Sequence, residues 1–157
     1  MTSIQPKTWH WSLGPESGTK DLDLKRALTH GGVCIHSVTD AWVKAHGCGE
    51  RRKQKFQEFR ETARPGDKIV VFCNGKVRAS GTFTGEIFRI SNEEALWCAE
   101  AGYKYRREEH NLTGPGTGSF KAMVYDWNVF KEPKAGVGLR GTLYEVKQGM
   151  KNYENYQ

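Results

Sequence analysis

Residues 63–90 read ARPGDKIVVFCNGKVRASGTFTGEIFRI and contain the clearest structural signal in the chain. Apolar, β-branched runs lie on either side of the Asn74-Gly75 pair. Asn-Gly between two such runs is the strongest short-range signal of a β-hairpin, because a type I′ turn needs positive φ at both central residues. We therefore predict two long antiparallel strands, and we expect Gly81 and Gly85 to mark a bulge or bend of the kind found in small barrels.

Hydrophobic periodicity and end signals place the other elements around this hairpin. Trp9 and Trp11 alternate with polar residues in the segment 8–13, so we expect them to share one face of a strand. Phe56 and Phe59 are the inward-facing residues of a charged, helical stretch. In all, we predict strands at 8–13, 33–37, 68–73, 76–90, 120–130 and 139–146, helices at 21–30, 50–62 and 91–102, one or two helical turns at 40–46, a long loop at 103–119 and a polar tail at 147–157 that frays.

The composition indicates one domain that suits a polyanionic partner. We expect the 157 residues to form a single domain, 1–157, with a core at about 8–146, and the five Trp residues argue against disorder. Lys and Arg number 24 against 18 Asp and Glu, so the net charge is +6 and the pI is near 9.2, which suits nucleic acid. We see no apolar signal-peptide core, no run near the roughly 18 apolar residues of a membrane span and no CxxC motif. These absences predict no membrane association, reduced thiols and a cytoplasmic or nuclear location.

Two local motifs resemble cofactor sites but lack the required context. Gly114-Pro-Gly-Thr-Gly118 is glycine-rich, yet it lacks the Lys-Ser/Thr pair and the following helix of a phosphate-binding loop. Cys34-x-His36 and His46-x-Cys48 contain four potential zinc ligands, but a spacing of one residue is unusual for structural zinc. We therefore predict no metal and no cofactor.

Aromatic and basic residues carry most of the information about function. A cleft between strands would hold a flat ring between two Trp faces while Ser12, His36 or Ser37 reads its edge, and stacking contributes on the order of 1–3 kcal/mol per base. Cations in the predicted helix 50–62 and in the loop 103–119 suit phosphate groups. We predict phosphate contacts from Arg51, Arg52, Lys53, Arg106 and Arg107.

Four segments, taken in this order, are similar to those of one superfamily. Trp9-His-Trp-Ser is followed by a helix and then by Gly32-Val-Cys, which resembles a first strand, helix and Gly-Ile/Val-Trp segment. Pro65-Gly-Asp-Lys-Ile-Val-Val-Phe resembles the hairpin of EVE domains, and Lys121-Ala-Met-Val-Tyr-Asp-Trp-Asn-Val-Phe resembles a late strand. Over residues 8–146 the chain thus resembles the PUA-like superfamily, and within it the EVE and YTH domains.

The resemblance implies an α+β fold, a PUA-like twisted, partly open β-barrel of five or six strands with flanking α-helices. It also implies a non-catalytic reader, because family members bind methylated adenine in RNA or modified bases in DNA, flipped from a duplex or taken from a single strand. The cage tryptophan of the family falls on Cys34, so Trp11 or Trp42 would replace it, and Trp97 or Tyr103 would supply the second cage wall. The base pocket implied in this way is lined by Trp11, Ser12, Cys34, Ser37, Trp42, Trp97, Tyr103 and Trp127.

Two other interpretations stay open. The ASCH domain of the same superfamily, some members of which process RNA, has a GxKxxExR signature that is echoed loosely at 18–25, with two of its four positions substituted. That interpretation predicts an RNA-binding or RNA-processing domain whose cleavage activity requires Lys20. The third class is a protein-interaction module that has no nucleic-acid ligand.

Overall fold

The computed structural model of the chain describes residues 5–13, 24–25, 27–29, 31–73, 75–89, 120–139 and 141–157. These residues adopt an α+β fold in which a mixed, six-stranded sheet curls into a half-barrel flanked by three helices. The predicted α+β class is therefore confirmed. The helix predicted at 91–102 and the loop predicted at 103–119 lie outside the described residues.

The sheet has the strand order β2-β5-β4-β3-β1-β6. β1 runs parallel to β3, and the other four pairs are antiparallel. The hairpin predicted from the Asn-Gly signal is confirmed as β3 and β4, which lie at the centre of the sheet. The strands are β1 (Thr8–Ser12), β2 (Gly32–Ile35), β3 (Lys68–Cys73), β4 (Lys76–Arg89), β5 (Phe120–Lys134) and β6 (Leu143–Val146).

The largest differences from the predicted strand bounds are at the end of β5 and the start of β6, whereas β2 ends at Ile35 rather than at 37. β5 continues past the predicted end at 130, because Lys134 still pairs with Val77 of β4. β6 begins at Leu143 rather than at Leu139, which is 53% exposed and lies outside the ladder. Both differences arise from pairing partners that lie far away in the sequence.

Three helical segments flank the sheet. In α1 the described helical residues are 24–25 and 27–29, whereas α2 spans Asp40–His46 and α3 spans Glu50–Thr62. The side chain of Thr39 caps α2 by accepting a 3.1 Å hydrogen bond from the backbone N–H of Trp42. The predicted helix at 50–62 is confirmed, and its two phenylalanines are buried as expected.

The inner face of the half-barrel holds the larger hydrophobic cluster. Trp9 and Trp11 of β1 are 1% and 0% exposed. Phe59 of α3 lies edge-on to both rings, with 5.0 Å between its centroid and that of Trp9 and 5.3 Å to that of Trp11. Phe83 of β4 contacts the same phenyl ring at 5.1 Å. The alternation in β1 therefore correctly predicts which of its residues enter the core.

The close approach of β4 and β5 depends on Gly81. The register of this pair shifts between Ser80 and Thr82. A Cβ atom at Gly81 would collide with Cγ1 of Val124 and would lie 3.1 Å from Cε3 of Trp127. The irregularity expected at this glycine is thus present, and it lets the two strands curl around the inner cluster.

The outer face of the sheet carries a second cluster that includes the end of the chain. Tyr156 lies in a short 3₁₀-helix (Tyr153–Tyr156), is 1% exposed and packs against valines of β3, β4 and β6. Its hydroxyl lies 2.7 Å from Nδ1 of His10 and accepts a hydrogen bond from the backbone N–H of Val137. The prediction that the tail 147–157 frays is wrong, because Tyr156 is buried and anchors this polar segment to the sheet.

Candidate nucleic-acid interface

A cavity of about 330 Å³ lies between the first turns of α3 and the segment that leads into β6. Its basic wall comes from α3, and its apolar and aromatic wall comes from residues 139–144. None of the described lining residues carries a carboxylate, so the potential inside is positive. The residues that define its chemistry are Arg51, Arg52, Lys55, Leu139, Leu143 and Tyr144.

The α3 helix brings the three cations together. Lys55 follows Arg51 by four positions and Arg52 by three, and residues at these spacings are neighbours on a helix surface. Arg51 and Arg52 are exposed and form no ion pair with any described residue. The Nζ of Lys55 lies 3.5 Å from a carboxylate oxygen of Glu58. Two predicted phosphate ligands thus line the cavity, and Lys55 is a third cation that we did not predict although its helical spacing indicates it.

Lys53, also predicted to contact phosphate, lies outside this cavity. Its Nζ is 2.8 Å from Oδ1 of Asp40 and 3.2 Å from Oε1 of Glu50. The hydrogen bond to Asp40, followed by that to Glu50, raises the pKa of Lys53 above its ordinary value. This lysine therefore links α2 to α3, and its charge is already matched by two carboxylates.

The aromatic wall of the cavity is supported by a buried histidine. Tyr144 lies opposite His10 in the ladder of β1 and β6, and its ring stacks on the imidazole with 4.4 Å between centroids and 9° between planes. Burial lowers the pKa of His10 to about 4, so the imidazole is neutral at neutral pH. Burial also raises the pKa of Tyr144, whose hydroxyl donates to the carbonyl oxygen of Leu139 at 3.4 Å. Because neither ring is charged, the charged groups in the described lining are those of Arg51, Arg52 and Lys55. No sequence signal indicates Tyr144, since its place depends on strand register.

Ser12, predicted to read a base edge, lies beside the cavity. Its Oγ is 2.9 Å from Nε2 of His10 and donates to the carbonyl oxygen of Gly141 at 3.4 Å. Its backbone N–H donates to the carbonyl oxygen of Thr142 at 2.7 Å. Gly141 and Thr142 both line the cavity, so the hydroxyl lies at its border and already has protein partners.

Ser37 and Trp42, both predicted to line the base pocket, lie close to Gly49. This glycine precedes α3 with a φ of +91°, and a Cβ atom on it would lie 3.2 Å from Cζ3 of Trp42 and 3.3 Å from the carbonyl oxygen of Ser37. The half-buried Trp42 ring also stacks on His46, with 4.0 Å between centroids. Gly49 lines the cavity, but neither Ser37 nor Trp42 is among its described lining residues, so the structure places both next to Gly49 and outside the lining.

Trp11 lies elsewhere, inside the half-barrel, and Cys34 lies on β2 outside the described lining of the cavity. Trp11 is completely buried, and its Nε1 donates a 3.1 Å hydrogen bond to the carbonyl oxygen of Cys34. In this arrangement Trp11 presents no exposed ring face to a ligand. The structure therefore places it among the core residues, although it was predicted to line the base pocket.

Trp127 is separated from the cavity by most of the sheet. It lies on β5, with β4, β3 and β1 between it and β6. Its ring is partly buried against the inner cluster, and its Nε1 is a buried donor without a hydrogen-bond partner among the described residues. A buried polar group left unpaired costs about 1–3 kcal/mol, so a hydrogen-bond acceptor placed on this N–H would stabilise the protein.

The remaining predicted site residues lie outside the described residues. These are Trp97 and Tyr103 of the base pocket, Arg106 and Arg107 of the phosphate contacts, and Lys20 of the ASCH-like segment.

No protein-family model matches the chain, and no curated protein or solved structure matches it. Within the described segments, no helix combines the length and the apolar composition that crossing a membrane requires. His, Cys, Asp and Glu side chains in the described part of the chain form no group of three able to hold a metal ion. Functional inference therefore starts from the residues and the geometry of this chain.

Proposed function

We propose that this protein is a non-catalytic nucleic-acid reader that captures one modified base, in the manner of the EVE and YTH domains of the PUA-like superfamily. The observation that carries the proposal is the basic cavity between α3 and residues 139–144. Its described lining combines three cations with no acid, and Ser12, predicted to read a base edge, lies at its border. The curled six-stranded sheet is compatible with the twisted, open barrel of that superfamily.

Phosphate binding is the first step of the proposal. Arg51 and Arg52 are exposed, have no ion pair with a described residue and line a cavity of positive potential. Guanidinium groups bind phosphate oxygens in a bidentate manner, and such contacts set affinity and salt dependence without reading sequence. We therefore assign the α3 side of the cavity to the sugar-phosphate backbone of the nucleic acid.

Base capture is the second step, and two tryptophans are candidates for it. Trp42 lies close to Gly49, which lines the cavity, and its side chain is only partly buried. Trp127 offers a buried indole N–H that lacks a partner among the described residues, and a base edge supplies carbonyl or ring-nitrogen acceptors. Each would add stacking of about 1–3 kcal/mol per base.

A binding panel tests the proposal. Fluorescence anisotropy is measured for labelled DNA and RNA strands of one sequence that end in hydroxyl groups and contain either a plain or a methylated base. We expect at least one methylated strand to bind about tenfold more tightly than its plain counterpart, which corresponds to about 1.4 kcal/mol of binding free energy. Equal affinity for every plain and methylated pair would contradict the reader function.

Variants separate the two steps. Trp42→Ala or Trp127→Phe should reduce the preference for the methylated strand, and the variant that does so identifies the base pocket. Arg51→Gln and Arg52→Gln should weaken binding to all strands alike and each lower the salt slope by about 1. Lys53→Gln, one residue away on the same helix, is the matched control and should leave the slope unchanged because Asp40 and Glu50 already pair with this lysine.

A further inference from the structure

The basic cavity contains more positive charge than one backbone phosphate matches. Arg51, Arg52 and Lys55 lie within one turn of α3, and like charges at these spacings destabilise a helix. Among the described residues, the only carboxylate paired with any of the three is that of Glu58, whose side chain is 46% exposed and lies 3.5 Å from Nζ of Lys55. A solvent-exposed pair of this kind contributes little. An anion inside the cavity would relieve the repulsion.

The size of the cavity indicates a ligand larger than an inorganic ion. Its volume of about 330 Å³ is many times the ~30 Å³ that one water molecule occupies in the liquid. It also lies at the lower end of the range of roughly 300–1,000 Å³ that is typical of small-molecule sites. Across from the cations, Leu139 is 53% exposed and offers apolar surface, whereas Leu143 and Tyr144 are buried and form the floor behind it. A phosphate group can therefore contact α3 while an attached sugar or base packs against the opposite wall.

We propose that this cavity binds a phosphomonoester of a nucleotide, and thereby recognises a terminal phosphate rather than an internal phosphodiester. A monoester carries a charge of about −1.5 to −2 at neutral pH and presents three acceptor oxygens, whereas an internal diester carries one charge. The monoester therefore matches three clustered cations better. This proposal extends the nucleic-acid binding proposed above, but it needs neither a modified base nor the tryptophans.

The ligand is either the end of a strand or a free mononucleotide, and both share this chemistry. Anisotropy is measured for a labelled, unmodified single strand with a 5′-phosphate, the same strand with a 3′-phosphate, and the same strand with hydroxyl ends. We expect one phosphorylated strand to bind about tenfold more tightly than the hydroxyl strand, since a terminal phosphate adds charge-assisted hydrogen bonds to the cations of α3. Competition by unlabelled adenosine 5′-monophosphate at a concentration comparable to the protein would identify the free nucleotide as the ligand, and weak competition would identify the strand end.

Matched variants of α3 connect this preference to the cavity. Arg52→Gln and Lys55→Gln should reduce the preference for the phosphorylated end to about twofold or less, because each removes one charge from the cavity. Lys53→Gln should retain the full preference, since Lys53 is paired with Asp40 and Glu50 outside the cavity. Thermal unfolding of each variant confirms that these surface changes leave the fold intact.

Equal binding of phosphorylated and hydroxyl-ended strands, together with no binding of the mononucleotide, would overturn the proposal. A preference that Arg52→Gln and Lys55→Gln leave unchanged would also overturn it, because the phosphate would then bind elsewhere. The two proposals fail separately. A preference for the terminal phosphate without discrimination between methylated and plain bases would contradict the reader function and support the terminal-phosphate site. Discrimination between the bases without a preference for the terminal phosphate would support the reader function and contradict the terminal-phosphate site.

Discussion

The indole Nε1 of Trp11 donates a 3.1 Å hydrogen bond to the carbonyl oxygen of Cys34. Trp11 lies on β1 and Cys34 lies on β2, and three strands separate β1 from β2 in the sheet. The bond therefore crosses the inside of the half-barrel and links parts of the sheet that have no ladder contact with each other. It explains how the sheet stays curled around the inner cluster.

Trp11→Phe should lower the free energy of unfolding by about 1–3 kcal/mol, because the Cys34 carbonyl loses its donor and the smaller ring leaves a void. Urea denaturation followed by circular dichroism measures the loss. Trp42→Phe is the matched control, since Trp42 is only half-buried and its indole has no hydrogen bond to a described residue. Equal losses in both variants would show that the bond across the half-barrel contributes nothing.

Tyr156→Phe should destabilise the fold by about 1–3 kcal/mol. The change removes the hydroxyl that contacts Nδ1 of His10 and accepts from the N–H of Val137, and it leaves both groups buried without that partner. Chemical denaturation measures the effect. Tyr153→Phe changes the same group in the same 3₁₀-helix, where Tyr153 is only partly buried, and it should cost less than half as much. A larger loss from Tyr153→Phe would contradict the assignment of Tyr156 as the anchor.

The free energy of unfolding should decrease on acidification because the imidazole of His10 is buried. Burial lowers the pKa of His10 from 6.5 to about 4, so the unfolded chain takes up a proton in a range where the folded chain does not. The free energy of unfolding should therefore decrease as the pH falls from 6.5 to 4, by up to about 3 kcal/mol. The groups that face His10 are Tyr144, Tyr156 and Ser12, and the pKa values of both tyrosines are raised, so they stay neutral in this range.

Urea denaturation at a series of pH values tests this dependence. His10→Asn should be less stable than the wild type near neutral pH but should lose less of its remaining stability on acidification. His46→Asn, which changes an exposed imidazole, should follow the wild-type profile. If His10→Asn and the wild type have the same slope between these pH values, another group is responsible.

Asp67→Asn should be strongly destabilising, by about 2 kcal/mol or more. The buried carboxylate accepts hydrogen bonds from the backbone N–H of Lys7 at 3.0 Å, from Nε1 of Trp9 at 3.1 Å and from the backbone N–H of Arg64 at 3.1 Å. An amide keeps only one acceptor oxygen and directs its own donors at N–H groups. Thermal unfolding measures the change, and Asp40→Asn, an 82% exposed carboxylate, should cost less than about 1 kcal/mol. Similar losses would refute the importance of the buried site.

Local signals predicted the parts of the fold that depend on neighbouring residues. The Asn74-Gly75 turn indicates the central hairpin, and the alternation around Trp9 and Trp11 indicates that these two residues share one face of β1, which is the inner one. The helical spacing in 50–62 also indicates that Phe56 and Phe59 face inward. Turn chemistry and side-chain periodicity act over a few residues, so they can be read before any contact between distant segments is known.

The candidate site could be predicted only in part. Basic residues at the start of α3 are visible in the sequence, yet nothing there shows that Arg51 and Arg52 face a cavity while Lys53 is held by Asp40 and Glu50. Nor do the residues themselves show that Trp11 is completely buried and therefore cannot line a base pocket. These outcomes depend on how helices pack on the sheet, which sequence periodicity does not specify.

The sequence by itself thus determined the α+β class, the central hairpin and the inward faces of β1 and α3, because each follows from steric and hydrophobic preferences of adjacent residues. Only the tertiary structure decided the strand order, the cavity and the burial of Tyr156. His10 and Tyr156 are 146 positions apart and yet lie 2.7 Å from each other. Such contacts form because the curl of the sheet and the register of its edge strands bring distant residues together. The residues adjacent to each of them in the sequence do not indicate the pairing.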